Sequence, residues 1–479
     1  MQRNRHFKTL LGGLLILSAL FSCKKKESSI DTPPPTNGNS GAVTTNDSIF
    51  FVTKDIYLWT NVLPDSATFK PNSFSSTRKM FDSLITYESL DRYSFLDDGT
   101  TSRALQEGIV GDKGFEVGYQ TDTTLFVVYV YPGSPADKAG IKRGWQLLSA
   151  NGFTKFNYYD NGATDDALNE AFSTGSGNFQ FKKPDGTTQQ NTIASTTYQL
   201  NPILYSKLFD LSGVKVGYLV FNNFVALADV QTKLDSIFNA FAAAGAKKLI
   251  IDLRYNGGGL VETSEYIANR LVPAAKSNTV MYTQSFNDNV NNKKFSRIFQ
   301  NMKALPYYPT YNWTDIFYSE ATTYKTAKFS KIGSWELDQV NFLVSHSTVS
   351  ASELLCNNLK PAMNIKLVGT TTYGKPVGFI NITFGSYDVY AVCFQTKNSL
   401  GQGDYFTGLK PDITVGDDFS NDWGSFNDPL LKQSLIDMGV QASVLGRSAR
   451  IASGRILATT TANRLQATKF KGMIQSFKR

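Results

Sequence analysis

The chain of 479 residues contains two histidines, and that count limits the chemistry it can do. His6 sits in a basic, apolar N-terminal stretch, which leaves His346 for the folded part. Directly after it runs S-T-V-S-A-S-E, Ser347 to Glu353, three serines and a threonine ahead of a glutamate. Such a cluster suits a reactive hydroxyl among small neighbours, and a hydroxyl needs a base before it attacks a carbonyl. His346 would stand at a strand end with its ring direction fixed by strand alternation, four residues before the best-placed serine, which is poor geometry for that base. A neutral lysine amine can serve instead once burial lowers its pKa, and Ser–Lys pairs follow the same logic as a Ser–His–Asp triad. Lys375 suits that role: it lies in T-T-Y-G-K-P-V-G, after an apolar run, among small residues and a proline.

These groups need a scaffold that brings separate loops together. From Val214 on, strand and helix patterns alternate: V-K-V-G-Y-L-V-F as a strand, A-D-V-Q-T-K-L-D-S-I-F-N-A-F-A-A-A-G as an amphipathic helix stopped by Gly245, and K-K-L-I-I-D-L-R-Y-N-G-G-G as a buried strand entering a glycine loop. A helix in L-V-E-T-S-E-Y-I-A-N-R-L-V, a strand, turn and helix around His346, and a strand in N-I-K-L-V-G continue the order. This βαβ alternation predicts an α/β domain with a largely parallel sheet. The loops R-Y-N-G-G-G, H-S-T-V-S-A-S and T-T-T-Y-G-K then meet at the C-terminal ends of strands. Upstream, D-S-I-F-F-V-T-K-D-I-Y-L-W reads as a helix with Asp47 as N-cap, and S-T-R-K-M-F-D-S-L-I-T as a second. Between these units lie short strands punctuated by Gly and Pro, with S-P-A-D-K-A-G as a short helix capped by Ser134 and stopped by Gly140.

The middle stretch resembles a PDZ domain. G-F-E-V-G-Y, Gly114 to Tyr119, is similar to the carboxylate-binding loop and the strand after it. G-S-P-A-D-K-A-G-I-K-R-G-W-Q-L-L-S-A-N-G follows the bacterial signature, with Trp145 where Asp is usual. The resemblance implies that Gly114, Phe115, Glu116 and Val117 bind a peptide as an added strand, with a helix near T-D-D-A-L-N-E-A-F lining the groove. Downstream, D-L-R-Y-N-G-G-G, S-T-V-S-A-S-E and T-T-Y-G-K stand in the order seen in peptidase family S41, the C-terminal processing peptidases, which this chain resembles. That resemblance implies a ClpP/crotonase-like core, with Ser350 as nucleophile and Lys375, twenty-five positions on, as base. Ser352 is then a neighbour facing the helix. For the oxyanion, the amide of Ala351 at a helix start supplies one donor, and Gly257 or Gly258 the other, since glycine lets backbone approach closely. Many relatives carry a glutamine four residues after the lysine; Phe379 stands there, so Glu353, Asn381 or backbone carbonyls are the expected orienters of the amine. Asp252 and Arg254 are expected to brace their loop.

The expected fold is thus α/β and multidomain. Residues 1–22 read as a signal peptide, with Arg3, Arg5 and Lys8 ahead of an apolar run. L-F-S-C resembles a bacterial lipobox, which implies lipidation of Cys23 and a cell-envelope lipoprotein, in the periplasm or on the outer membrane of a Gram-negative bacterium. Residues 23–46 form a polar tether, 47–105 a helical N-terminal domain, 106–200 the PDZ-like module, 201–438 the peptidase core and 439–479 a basic tail. The net charge of +8 is concentrated at the ends, with eight basic residues and no acid from Val440 onward. That tail reads as a solvated helix or frayed end, and secretion argues against nucleic acid as a partner. Cys356 and Cys393 read as core thiols rather than a disulfide. With no C-x-x-C pair, neither metal nor cofactor is expected.

The leading expectation is a membrane-tethered endopeptidase acting on polypeptides with exposed C-termini. The alternative is a peptide-binding lipoprotein on the same fold with a weak or inactive site, which Phe379 favours. A third reading pairs Cys356 with His346 and is set aside because Cys356 falls inside a predicted helix.

Overall fold

Neighbouring residues of the central strands belong to different cores, as a sheet covered on both faces requires. The computed structural model describes residues 43–305, 308–446 and 472–475. In it, Leu249 and Ile251 pack with the helix residues Val230, Leu234, Phe238, Leu354 and Leu355. Ile250, between them in sequence, packs on the opposite face with Leu430, Leu431 and Leu435. The sheet has six strands in the order Ile413–Thr414, Ile365–Gly369, Gln339–Val344, Lys248–Asp252, Val214–Phe221 and Ile203–Leu211. All neighbours are parallel except Ile203–Leu211, which runs antiparallel to Val214–Phe221. Helix Leu227–Ala243 makes the crossover into Lys248–Asp252, and helix Ala351–Leu359 the crossover into Ile365–Gly369. The loops after Asp252, Val344 and Gly369 therefore leave adjacent parallel strands at the same end.

A second sheet has six strands in the order Gly258–Leu260, Gly472–Ile474, Val377–Phe379, Val392–Asn398, Val280–Ser285 and Thr326–Lys328. Its second strand comes from the basic tail, where sequence reading expected a solvated or frayed end. Met473 and Ile474 are buried. The local stretch G-M-I-Q is uncharged, with two apolar residues at its centre, and the flanking charges had masked it.

The N-terminal helices are Thr45–Ile56 and Thr77–Ile85. The first is capped by Thr44, three residues before the Asp47 that the sequence suggested; Asp47 instead closes the capping box from the third helical position. Phe50, Ile56, Tyr57, Met80, Phe81 and Leu84 join the same apolar cluster as the core helices, so this unit packs as part of the main body. A five-stranded antiparallel sheet, Phe115–Thr121, Thr124–Val130, Gln146–Ala150, Ser176–Lys182 and Thr188–Ala194, has its own core around Phe115, Leu125, Leu147, Phe179 and Phe181. Ser134 caps the short helix Pro135–Lys138 as expected, and helix Ala163–Ser173 packs against the sheet through Leu168 and Ala171.

A buried guanidinium and an apolar cluster of Val128, Tyr129, Tyr255 and Phe419 join this β-rich unit to the core. Arg143 donates to Val128 O, to Tyr255 Oη (3.0 Å) and to the carbonyls of Asp418 and Asn421. It stacks 4.1 Å from the centre of the Trp423 ring. Cys356 and Cys393 are free and buried. No described helix is long and apolar enough to cross a membrane. The expected signal peptide, Cys23, and most of the expected tether and tail lie outside the described residues.

Candidate active site

Three loops are stitched together by backbone and hydroxyl hydrogen bonds before any reactive group is considered. From the loop after Gln339–Val344, Ser345 donates through its hydroxyl to Arg254 O, and Thr348 Oγ1 donates to Leu253 O at 2.8 Å. Val349 N–H and the Ser352 hydroxyl both donate to Asn256 O, at 3.0 and 3.2 Å. Ser352 thus faces the glycine loop, a support for it rather than a second reactive hydroxyl. Tyr373 N–H donates to Thr348 O at 3.1 Å and ties in the third loop. The loop residues 253–256 are braced from below: Arg254, fully buried, pairs with Asp252, Asp417 and Asp428, each at 2.7 Å. Its guanidinium holds Asp417 below its ordinary range against the cost of burial.

Ser350 is the residue just before helix Ala351–Leu359, with φ +61° and ψ −107°. A non-glycine residue reaches that region only when its surroundings over-determine it. The constraint is Glu353. One carboxylate oxygen of Glu353 accepts from Ser350 N–H at 2.8 Å and from Lys375 N–H at 2.9 Å. The two amide nitrogens therefore lie within 5.7 Å of each other, the sum of those bonds. The other oxygen accepts from the Thr372 hydroxyl and from Gly374 N–H. Two of the four hydrogen bonds of Glu353 hold the backbone of the two candidate residues, and the other two hold Thr372 and Gly374 between them. Burial pushes its carboxyl pKa up, and these hydrogen bonds oppose the rise.

Ser350 is fully buried. Lys375 is also fully buried. Burial pushes its ammonium well below the ordinary value, against the attraction of Asp91 and Glu353. Nζ lies 3.6 Å from the centre of the Phe379 ring and 5.5 Å from that of Tyr93. Asn381, the other expected orienter, lies beyond the end of strand Val377–Phe379, with Nδ2 buried and without a hydrogen-bond partner among the described residues.

Gly258 has φ +100°, and a Cβ there would come within 3.1 Å of Ala351 N and 3.0 Å of Val349 O. Only glycine lets this loop lie against the helix start. Gly258 N–H is committed to Asn256 Oδ1 at 2.9 Å. The N–H of Ala351, first in its helix, has no intrahelical acceptor.

Sequence reasoning missed two residues from the N-terminal unit. The Tyr93 hydroxyl donates to Gly374 O at 2.5 Å, and Arg92 donates to the carbonyls of Tyr373 (2.9 Å) and Phe406 (3.0 Å). No motif marks them; they act only through tertiary packing. The His346 ring lies tilted against that of Tyr373, with ring centres 5.3 Å apart. Cys356 sits inside helix Ala351–Leu359 among core residues, and burial pushes its thiol far up, which leaves it inert. Gly114 immediately precedes, and Phe115, Glu116 and Val117 begin, the edge strand Phe115–Thr121 of the five-stranded sheet. Phe115 fills the space beside helix Ala163–Ser173, its ring 4.8 Å from Phe172.

Residues 215–415, which hold all three loops, match the model of peptidase family S41. A carboxyl-terminal-processing protease of Picosynechococcus sp. is 30% identical over 270 residues, 56% of this chain and 55% of the relative. A CtpA-like serine protease of Staphylococcus aureus (strain MRSA252) is 25% identical over 72% of this chain and 61% of its own length. The matches thus span between about half and three fifths of these curated relatives. A crystal structure of a candidate S41 protease from Bacteroides fragilis NCTC 9343 shares the fold, with a TM-score of 0.59 and 24% identity, over 81% of this chain and 96% of that one.

Proposed function

We propose that this protein is a serine endopeptidase of the C-terminal processing type, with Ser350 as nucleophile and Lys375 as its base. The observation that carries this reading is the single Glu353 oxygen that holds the amides of both residues within the region that matches family S41. In the proposed reaction, Ser350 Oγ adds to a substrate peptide carbonyl as its proton passes to Lys375 Nζ. The oxyanion is held by the N–H groups of Ala351 and Gly257, since Gly258 N–H is already engaged. The peptide C–N bond then breaks, the amine leaves with the proton from Lys375, and water hydrolyses the acyl-enzyme. Burial of Lys375 supports its role, because an amine must be neutral to accept that proton.

The edge position of Phe115–Thr121 supports a PDZ-like function for the β-rich unit: a substrate tail would add there as a strand, its carboxylate at the Gly114 loop. Lipidation at Cys23 would tether the chain to a bacterial envelope membrane. The position of Lys375 over the Phe379 ring favours the charged amine and keeps a peptide-binding protein with a weak site as the second reading.

Cleavage of an unfolded protein such as reduced casein separates the two. Ser350→Ala and Lys375→Ala should each lower the rate at least ~10³-fold with binding retained. Undiminished cleavage by Ser350→Ala overturns the nucleophile assignment, and a parent chain that binds tails without cutting any polypeptide supports the second reading.

A further inference from the structure

Neither Ser350 Oγ nor Lys375 can be reached by a polypeptide as the site stands, since both residues are fully buried. The element set between the two halves of the site is the strand Gly472–Ile474. It pairs in parallel with Gly258–Leu260 on one side and with Phe379 on the other. One flank is therefore the glycine loop and the other is the strand over which the Lys375 amine lies. Gly472 N–H donates to Gly257 O at 3.1 Å, and Gln475 N–H to Phe379 O at 3.0 Å. Gln284 Nε2 reaches Gln475 Oε1 at 2.9 Å. A Cβ on Gly258 would fall 2.3 Å from Gly472 O and 3.1 Å from Ala351 N, so this carbonyl oxygen and that N–H crowd the same side of Gly258. Without this strand, two facing strand edges would stand one strand-width apart, an acceptor for any extended chain.

The geometry points to a peptide-binding slot between Gly258–Leu260 and Val377–Phe379 that is filled in cis by the chain's own segment 472–475. An extended polypeptide takes the same slot only after this segment leaves. The occupant defines what fits: a small residue beside the Ala351 amide, followed by two apolar residues that bury as Met473 and Ile474 do. The identity of the competing ligand rests on the peptidase reading; the slot and its occupant do not.

The test uses a full-length Ser350→Cys chain and the same chain ending at Lys471, with N-ethylmaleimide modification of residue 350 followed by mass spectrometry. Modification should be at least tenfold faster in the shortened chain, and a synthetic peptide of residues 472–479 should restore the slow rate. A folded shortened chain that is modified no faster, or a peptide without effect, overturns the proposal. Hydrogen exchange on the unshortened chain covers the case in which shortening prevents folding. The amides of Gly472 and Gln475 should exchange at least tenfold faster than those of Gln339–Val344, and equal rates overturn the proposal, because the segment would then leave only with global unfolding. If the thiol becomes accessible yet neither Ser350-containing chain cleaves unfolded protein, the slot stands and the peptidase reading falls. If both chains cleave equally well and the thiol rates match, the reverse holds.

Discussion

Replacing Glu353 by Gln removes one acceptor oxygen and the charge while keeping the shape. The carboxylate serves four donors, two on each oxygen. The amide oxygen can keep Ser350 N–H and Lys375 N–H. Its NH₂ then faces Thr372, whose hydroxyl can turn to accept, and Gly374 N–H, which cannot. One buried N–H is orphaned, at about 1–3 kcal/mol, and the remaining bonds fall from charge-assisted to neutral strength, roughly 1 kcal/mol each. Relief of a buried charge offsets part of this, because burial raises the Glu353 pKa. The net expected loss is about 2–4 kcal/mol, which a domain of ordinary stability survives. Activity should suffer more than stability: a displacement of roughly 1 Å between nucleophile and base costs on the order of 10²-fold. Urea unfolding at pH 7 and steady-state cleavage of a fluorogenic peptide measure the two effects, with kcat expected to fall and KM to stay near its parent value. A Glu353→Gln protein with parental kcat and an unchanged urea midpoint would refute the claim that this carboxylate aligns Ser350 with Lys375.

Lys375→Met should raise the melting temperature at pH 7. Burial depresses the folded amine below 10.5; the unfolded chain then binds more protons in the window between the folded pKa and 10.5, so the parent gains stability as pH rises and the advantage of the variant shrinks towards pH 10.5. Activity of the parent should increase with pH through the folded lysine pKa and persist under alkaline conditions, and a maximum near pH 6 would count against Lys375. Phe379→Leu keeps the burial but removes the ring beneath the amine, so the acid limb of that profile should move down by up to about one pH unit, given ~1 kcal/mol of cation–π stabilisation. Arg254→Met strands three buried carboxylates and should cost at least ~3–5 kcal/mol in urea unfolding, visible as loss of folded protein before any kinetic change.

The sheet and its crossovers were legible because burial on both faces writes long apolar strands, such as L-I-I at Leu249–Ile251, next to helices with clear stops such as Gly245. The three site loops were legible because each follows such a strand. The second sheet was not: its strands are short and distant in sequence, and one of them, Gly472–Ile474, hides in a basic tail. Arg92 and Tyr93 carry no local signal, since their bonds to Tyr373 and Gly374 span about 280 residues of sequence. Glu353 was visible as a polar residue near the lysine, but its bonds to the amides of Ser350, Gly374 and Lys375 exist only in three dimensions.

Ser350 is held at φ +61° and ψ −107°, a conformation that glycine adopts without strain. A Ser350→Gly copy would lose its reactive oxygen and gain about 1–3 kcal/mol from the relaxed backbone. Random drift in a gene of this kind is therefore energetically downhill towards silent, sturdier descendants, and only continued selection for turnover keeps the hydroxyl where it stands.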